Sequence, residues 1–331
     1  MRMLDAAGHP LHTRSLSITL RQGADGAPQF AGYVLDLRKR GFAPVGGDLQ
    51  GTGIIHHMQL AGALAADGTR IERIDAQMPT IAFEASATSG GESCRDLIGR
   101  VALLNGLALD DGATKRLGIE IGGPRGCSHI LTLAQLLVPT VRWALAEDRR
   151  LHDSIPSRRA DERIFRRDVT IDGYEPEPGE IVLTLQLNDL HLAPAPPLAK
   201  PLDRLAAQRE ITARAELNMR ELTLRALVVR ERVRTPSNLS EAVWRDRSAE
   251  IEPLLGASLR AGISARIFAA VAASPLRDAL LQLAPAMIQC FAALDIWAMM
   301  PGGGPAAETG GLADSCWMWR REGALQKSRG G

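Results

Sequence analysis

Aromatic residues are scarce in this chain, at 4% of its 331 residues, so any core must be built mostly from Leu, Ala, Val and Ile. Lysine is scarcer still: Lys39, Lys115, Lys200 and Lys327 stand against 35 arginines. That excess of Arg over Lys is not a basic surplus, because 38 acidic residues bring the formal net charge to +1. A nucleic-acid partner is therefore not expected. Four cysteines in a chain this long do not make a disulfide framework. Long apolar runs are missing too. The longest stretch, Ala284 to Met300, is interrupted by Gln289 and Asp295 and stays short of the roughly 20 residues a bilayer span needs. Met1 to Thr13 lacks the apolar centre of a secretory signal. A cytoplasmic protein with reduced thiols and no membrane partner is the expectation. No Gly-x-Gly-x-x-Gly follows a strand pattern, and no phosphate-binding loop or Gly-x-Ser-x-Gly elbow occurs, so no nucleotide cofactor is expected. Gly302-Gly303-Gly304 reads as a helix stop.

What is present is an internal repeat. Arg14-Ser15-Leu16-Ser17-Ile18 is matched 153 residues later by Arg167-Asp168-Val169-Thr170-Ile171, and Asp36-Leu37 by Asp189-Leu190 at the same spacing. Cys94-Arg95-Asp96 through Leu104-Asn105-Gly106, Leu109 and Gly112 is matched 150 residues later by Trp244-Arg245-Asp246 through Leu254-Leu255-Gly256, Leu259 and Gly262. Leu136-Leu137-Val138-Pro139 meets Gln282-Leu283-Ala284-Pro285 at a spacing of 146, and four matches in one order and one frame point to a tandem duplication. The expected organisation is one copy over residues 9–150, a linker over 151–166, a second copy over 167–300 and a Gly-rich tail over 301–331.

Each copy reads as strands first and helices after. Leu16, Ile18 and Leu20 alternate with polar neighbours, as in a half-buried strand. Phe30 to Leu37 is a second strand, and His56 to Ala65 with Arg70 to Ala76 forms a hairpin around Asp67-Gly68. Helical spacing follows over Cys94 to Leu104 and Ser128 to Ala146. In the second copy, strand patterns over Ile181–Leu190, Ile211–Leu217 and Leu222–Val233 precede helical patterns over Leu239–Leu255 and Leu276–Met299. The fold class expected is α+β, an antiparallel sheet with helices, duplicated into a pseudo-dimer. The long apolar helices could also mediate self-association.

A repeat supplies an internal control. Arg14 and Asp36 recur as Arg167 and Asp189, which favours a structural ion pair between neighbouring strands. His12, His57, Cys94, Cys127 and His129 have no counterparts, so the reactive inventory belongs to the first copy. Gly126-Cys127-Ser128-His129 precedes a long helix, with Ser128 as the expected cap. A thiol at a helix N-terminus has its thiolate favoured, and the free N–H groups there suit an anion. His57 lies on the strand face opposite Met58, Leu60 and Leu64, while His56 shares the Met58 face. A mixed set of Cys94, Cys127, His129 and His57 is chemically adequate for Zn²⁺, although no Cys-x-x-Cys or His-Glu-x-x-His motif is present.

His12-Thr13-Arg14, His57-Met58, Cys94 before Leu104-Asn105-Gly106, and Gly126-Cys127-Ser128-His129 recur in the order of a bacterial family. Over about residues 9–150 the chain resembles domain-of-unknown-function family 2889, with Ser128 and Ile130 where that pattern has Thr and Leu. Asp314-Ser315-Cys316-Trp317 is similar to a Cys-His segment of the family, with Trp317 in place of His. The resemblance implies no established reaction and is associated with bacteria that degrade aromatic compounds. The expectation is a small-molecule enzyme, a lyase on an aromatic or phenylpropanoid-derived acid. His57 or His129 would act as acid or base, Cys127 and Cys94 as pocket thiols or ligands, and Arg14, Arg125 and His12 would bind an anionic substrate. The rival expectations are a non-catalytic module binding a small molecule or metal, and a structural partner subunit.

Overall fold

Alternation of apolar and polar residues builds strands here, and the computed structural model joins them into one sheet. It describes residues 8–41, 43–45, 48–152, 156–196, 198–218, 222–259, 262–291, 293–294 and 313–327. The Gly-rich stretch 301–311 and the end of the Leu276–Met299 pattern lie outside the described residues.

The first strands are β1 (His9–Gln22), β2 (Pro28–Arg38), β3 (Ala43–Val45), β4 (Asp48–Gln50), β5 (Gly53–Leu64) and β6 (Ile71–Thr80). After helices α1 (Ala113–Ile121) and α2 (Ser128–His152) come β7 (Arg163–Glu175), β8 (Ile181–Leu192), β9 (Leu205–Asn218), β10 (Thr223–Arg234) and the short β11 (Arg245–Asp246). Among the described residues four further helices follow, α3 (Ile263–Ala270), α4 (Pro275–Leu280), α5 (Leu283–Phe291) and the short α6 (Ala324–Lys327). Nine strands form one antiparallel sheet in the order β11-β10-β9-β8-β7-β1-β2-β5-β6, and β3 and β4 pair separately. The fold is α+β.

The centre of the sheet is the β1/β7 pair. Leu16 faces Val169 there, with Arg14 opposite Ile171 and Ile18 opposite Arg167. The two outer hairpins close in the same way. Ile71 exchanges backbone hydrogen bonds with Gly106 and Leu107, and Leu224 does so with Gly256 and Ala257.

Helix α2 buries Ile130, Leu133, Ala134, Leu137, Val141 and Ala144, spaced three, four and seven residues apart as a helix stripe requires. That stripe packs on β2 and β5, while α5 packs on β7, β8 and β1. Leu11, Leu16, Ile18 and Leu20 of β1 meet these helices from the sheet. By length and composition α2 could cross a membrane, but half of its apolar window is buried against the sheet. Two expected helices are otherwise. Cys94 to Leu104 is turns followed by a 3-10 segment, Ile98–Leu104, and Leu239 to Leu255 is turns, β11 and a second 3-10 segment, Ser248–Leu254. Each lies against one strand, the first on β6 and the second on β10, and its apolar residues are buried in short bursts. Val101 and Leu104 are buried in the first, Ile251 and Leu254 in the second.

Close strand approach makes one glycine obligatory. A Cβ on Gly62 would lie 2.0 Å from the Arg73 carbonyl oxygen and 2.6 Å from Phe30 Cζ. Neither neighbour can retreat, since one is ladder backbone and the other a buried ring. Gly62→Ala is expected to cost about 1–3 kcal/mol, read as a lower urea midpoint. Gly99→Ala, with no atom within 4 Å of the added carbon, should leave the midpoint in place.

Candidate functional site

Residues of one parity on β1 face the helices, and that places more than apolar side chains inside. His12 and Arg14 share the inward face with Leu16, Ile18 and Leu20, and they are 0% and 1% exposed. Cross-strand register sets Asp36 of β2 opposite Arg14 and His56 of β5 opposite Asp36. His129 enters from the first turn of α2. Four elements thus converge on one carboxylate that is 0% exposed.

Its two oxygens have different company. Oδ1 lies 3.5 Å from both His12 Nε2 and Arg14 Nη1. Oδ2 lies 3.4 Å from His56 Nδ1 and 3.3 Å from His129 Nε2. The His56 and His129 rings are stacked with centroids 3.8 Å apart. Neither Asp36 oxygen, neither His12 nitrogen and not His56 Nδ1 has a hydrogen-bond partner of proper geometry. Charge-assisted bonds run at about 2.7–2.9 Å, so this is a cluster held just beyond hydrogen-bond distance.

Burial and neighbours set the protonation. Burial alone would raise the Asp36 pKa, but Arg14 together with His129 and His56 outweighs it and holds the carboxylate well below its ordinary range. Burial lowers His129 to about 3 and His12 to about 4, against the pull of Asp36. At neutral pH the carboxylate therefore faces the neutral imidazoles of His12 and His129.

Two members of the cluster, His56 and His129, form the floor of a cavity of about 200 Å³, with Asp36 packed against them from behind. Its walls include Phe83, Trp317 and Trp319, the thiols of Cys94, Cys127 and Cys316, and the Arg38 guanidinium. One wall is delivered by the C-terminal segment. Trp317 N–H donates to the Gly126 carbonyl at 2.8 Å and its ring Nε1 to Asp96 at 3.2 Å, while Arg320 pairs with Glu92. Trp319 meets Phe83 edge-on with centroids 5.5 Å apart.

The expected site residues divide accordingly. His129, Cys127 and Cys94 line the cavity, and His12 and Arg14 stand behind its floor. His57 is not brought to it. It faces the other side of the sheet, edge-on to Tyr33 and 3.0 Å from Gln59 Nε2. Arg125 is exposed and does not line the cavity. Of the expected zinc set, only His129 belongs to the metal-capable group among the described residues, which is Asp36, His56 and His129. The helix entry also differs. Leu131 N–H donates to the Cys127 carbonyl at 2.9 Å, so Cys127 rather than Ser128 occupies the cap position. Burial pushes the Cys127 thiol up to about 12, against the N–H groups of Ile130 and His129. It is a thiol at neutral pH, not the thiolate its place at the helix end suggests.

Two central residues were passed over by sequence reasoning. Asp36 was set aside as structural because Asp189 repeats it, and His56 because it shares the apolar face of β5. The usable signal was parity: His12, Arg14, Asp36 and His56 all point to the core side, where a lone polar residue is costly and four together require a purpose.

Residues 12–142 match the family of proteins of unknown function DUF2889. No curated protein and no solved structure matches the chain. The DUF2889 segment contains the whole His12–Arg14–Asp36–His56–His129 cluster and ends within α2. The walls supplied by Gln289, Cys316, Trp317 and Trp319 come from outside it.

Proposed function

We propose that the chain is a small-molecule enzyme, a lyase acting on an aromatic or phenylpropanoid-derived acid, with the cavity of the first half as its reaction site. The observation that carries this reading is the cavity floor, where His56 and His129 face mostly apolar walls and the unpartnered polar atoms of Asp36 and His12 lie directly behind them. Unpaired buried polar groups cost about 1–3 kcal/mol each, a cost that a bound ligand would offset. A cavity of about 200 Å³ suits one substituted ring, since roughly 150 Å³ accommodates benzene. Phe83, Trp317 and Trp319 offer ring contacts, and Arg38 offers a cation to a carboxylate. Arg38 takes the anchoring part that Arg14 and Arg125 cannot, the first being committed to Asp36 and the second lying outside. A lyase must remove a proton and stabilise the charge left behind, and His56 and His129 face the cavity with the Asp36 carboxylate against them.

The second half we read as a degenerate copy of the same unit, the whole forming a covalent pseudo-dimer. Register supports this. At the repeat spacing of 153 residues Leu16 corresponds to Val169, and these two residues face each other on β1 and β7. A residue opposite its own equivalent is what a two-fold axis through an isologous interface produces. The chain is read as cytoplasmic, in keeping with four free cysteines.

Turnover of a panel of aryl and arylpropanoid acids, followed by mass spectrometry, tests the enzyme reading. Asp36→Asn and His129→Gln are each expected to lower kcat/KM by about 10²–10⁴-fold while circular dichroism still reports the folded sheet. Full turnover by both variants would move the reaction away from this cavity. Tight binding of an acid without turnover by the unaltered protein would make the cavity a binding site only.

A further inference from the structure

We infer that Asp36 Oδ2, His56 Nδ1 and His129 Nε2 hold a divalent transition-metal ion at the floor of the cavity, with Zn²⁺ the ion whose geometry their spacing fits. The inference deepens the reading of this cavity as the reaction site, and rests on that reading for what the ion would be used for.

The distances decide between two accounts of the cluster. If Asp36 were simply hydrogen-bonded by the two imidazoles, the contacts should be about 2.7–2.9 Å. They are 3.4 and 3.3 Å. Two ligands each about 2.0–2.1 Å from a tetrahedral ion stand ~3.4 Å apart. All three ligand atoms lie within 4.8 Å of one another. The spacing between the carboxylate and the imidazoles is that of ligands around an ion, and the Gln289 amide, 3.3 Å from His129 Nε2, would have to turn away for the ion to bind.

A second Arg–Asp pair in the same sheet serves as a control. Arg167 grips both oxygens of Asp189, at 2.6 and 2.7 Å. Arg14 and Asp36 occupy the same cross-strand relation, yet Arg14 reaches only Oδ1, and at 3.5 Å. Asp36 therefore keeps one oxygen clear of the guanidinium and turned to the two imidazoles. His12 and Arg14 on Oδ1 fix the carboxylate, as supporting groups do around metal ligands. His129 is held similarly, its Nδ1 lying 3.9 Å from the Cys127 sulfur.

The donors also match in kind. One carboxylate and two imidazoles, carried on two strands and a helix, leave coordination positions on the cavity side, where His129 and His56 lie beside Gln289. An open three-ligand set of this composition marks catalytic rather than structural zinc. A bound ion would supply acidified water or polarise a substrate oxygen. Arg14 adjoining the carboxylate opposes a second positive charge, so the ion should be removable by a chelator.

The test uses the full chain, dialysed against EDTA and reloaded with Zn²⁺ or Co²⁺. Elemental analysis is expected to give one ion per chain, and Co²⁺ to show ligand-field bands without an intense thiolate-to-cobalt charge-transfer band. Asp36→Asn, His56→Ala and His129→Ala should each weaken Co²⁺ binding by at least about tenfold, and His57→Ala should leave it unchanged. Melting curves without metal establish which variants remain folded, and any that do not are replaced by His56→Gln or His129→Gln. Absence of stoichiometric binding overturns the inference. So does a thiolate band lost in Cys127→Ser, which would place the ion on the cysteines instead. Turnover that depends on Asp36 and His129 but survives EDTA would remove the metal and keep the reaction site. Metal bound at these residues with no turnover of any acid would do the reverse.

Discussion

Arg167→Met is expected to lower stability by about 3–5 kcal/mol, the range for removing one partner from a buried ion pair. Few guanidinium groups are so completely enclosed. Arg167 is 0% exposed and donates to both oxygens of Asp189, to Asp278 at 2.7 Å and to the Thr140 hydroxyl at 2.7 Å. Its guanidinium also lies 5.3 Å from the centre of the Trp143 ring. Methionine fills much of the space but leaves two carboxylates buried without their main cation. The melting temperature should fall by roughly 10 °C. Burial already raises Asp189 and Asp278, and Arg167 is what opposes it. A carboxylate whose pKa rises on folding destabilises the fold above that pKa and is relieved as the pH drops. The gap between variant and unaltered protein should therefore be widest at neutral pH and shrink towards pH 5. Combining Arg167→Met with Asp189→Leu and Asp278→Leu should recover most of the loss, because replacing the entire charged set avoids stranding any member. A gap independent of pH would mean that the stranded carboxylates find other cations.

The contrast between Arg167 and Arg14 explains which parts of this protein could be read from its residues. Strand positions were legible because alternation is local. Leu16, Ile18 and Leu20 mark β1, and Asp67-Gly68 marks the turn between β5 and β6. Helix α2 was legible because its stripe runs unbroken for several turns, beginning at the expected Ser128. The segments ending at Leu104 and Leu254 were not, since a short 3-10 turn and a helix both bury residues three apart. The cavity was half legible. Residues lacking a partner in the other half pointed to His12, His57, Cys94, Cys127 and His129, of which all but His57 reach it or its floor. The same logic discarded Asp36, because a repeated residue need not repeat its role. Asp189 is clasped by its arginine, whereas Asp36 is held off from its own. That difference is about an ångström of side-chain placement and leaves no trace in residue identity. The C-terminal wall was legible as the motif Asp314-Ser315-Cys316-Trp317 but not in its location, because Trp317 and Gly126 are far apart in sequence and only the folded chain joins them.

His191→Phe is expected to make the protein more resistant to acid. His191 sits opposite Phe165 on neighbouring strands, 2% exposed, with ring centroids 4.7 Å from Phe165 and 5.1 Å from Trp143. Neither of its ring nitrogens has a hydrogen-bond partner. Burial lowers its pKa to about 3, with Arg167, Arg209 and Arg158 adding to the effect and Glu147 opposing it. In the unfolded chain the same ring titrates near 6.5. The unfolded state therefore takes up a proton that the folded state refuses. The fold keeps its full stability above pH 6.5 and loses up to about 1.4 kcal/mol per unit as the pH falls towards 3. At pH 4.5 the loss from this one residue would approach about 3 kcal/mol. Phenylalanine removes the proton site and keeps a ring between Phe165 and Trp143. Urea unfolding of both proteins at pH 7.5, 5.5 and 4.5 should show an advantage for the variant that widens at each step. His12 and His129, lowered to about 4 and about 3, act in the same direction in both proteins, so the difference between them isolates His191. An advantage that stays constant with pH would mean that His191 accepts its proton inside the folded sheet, and that the aromatic cluster opens to water well above pH 4.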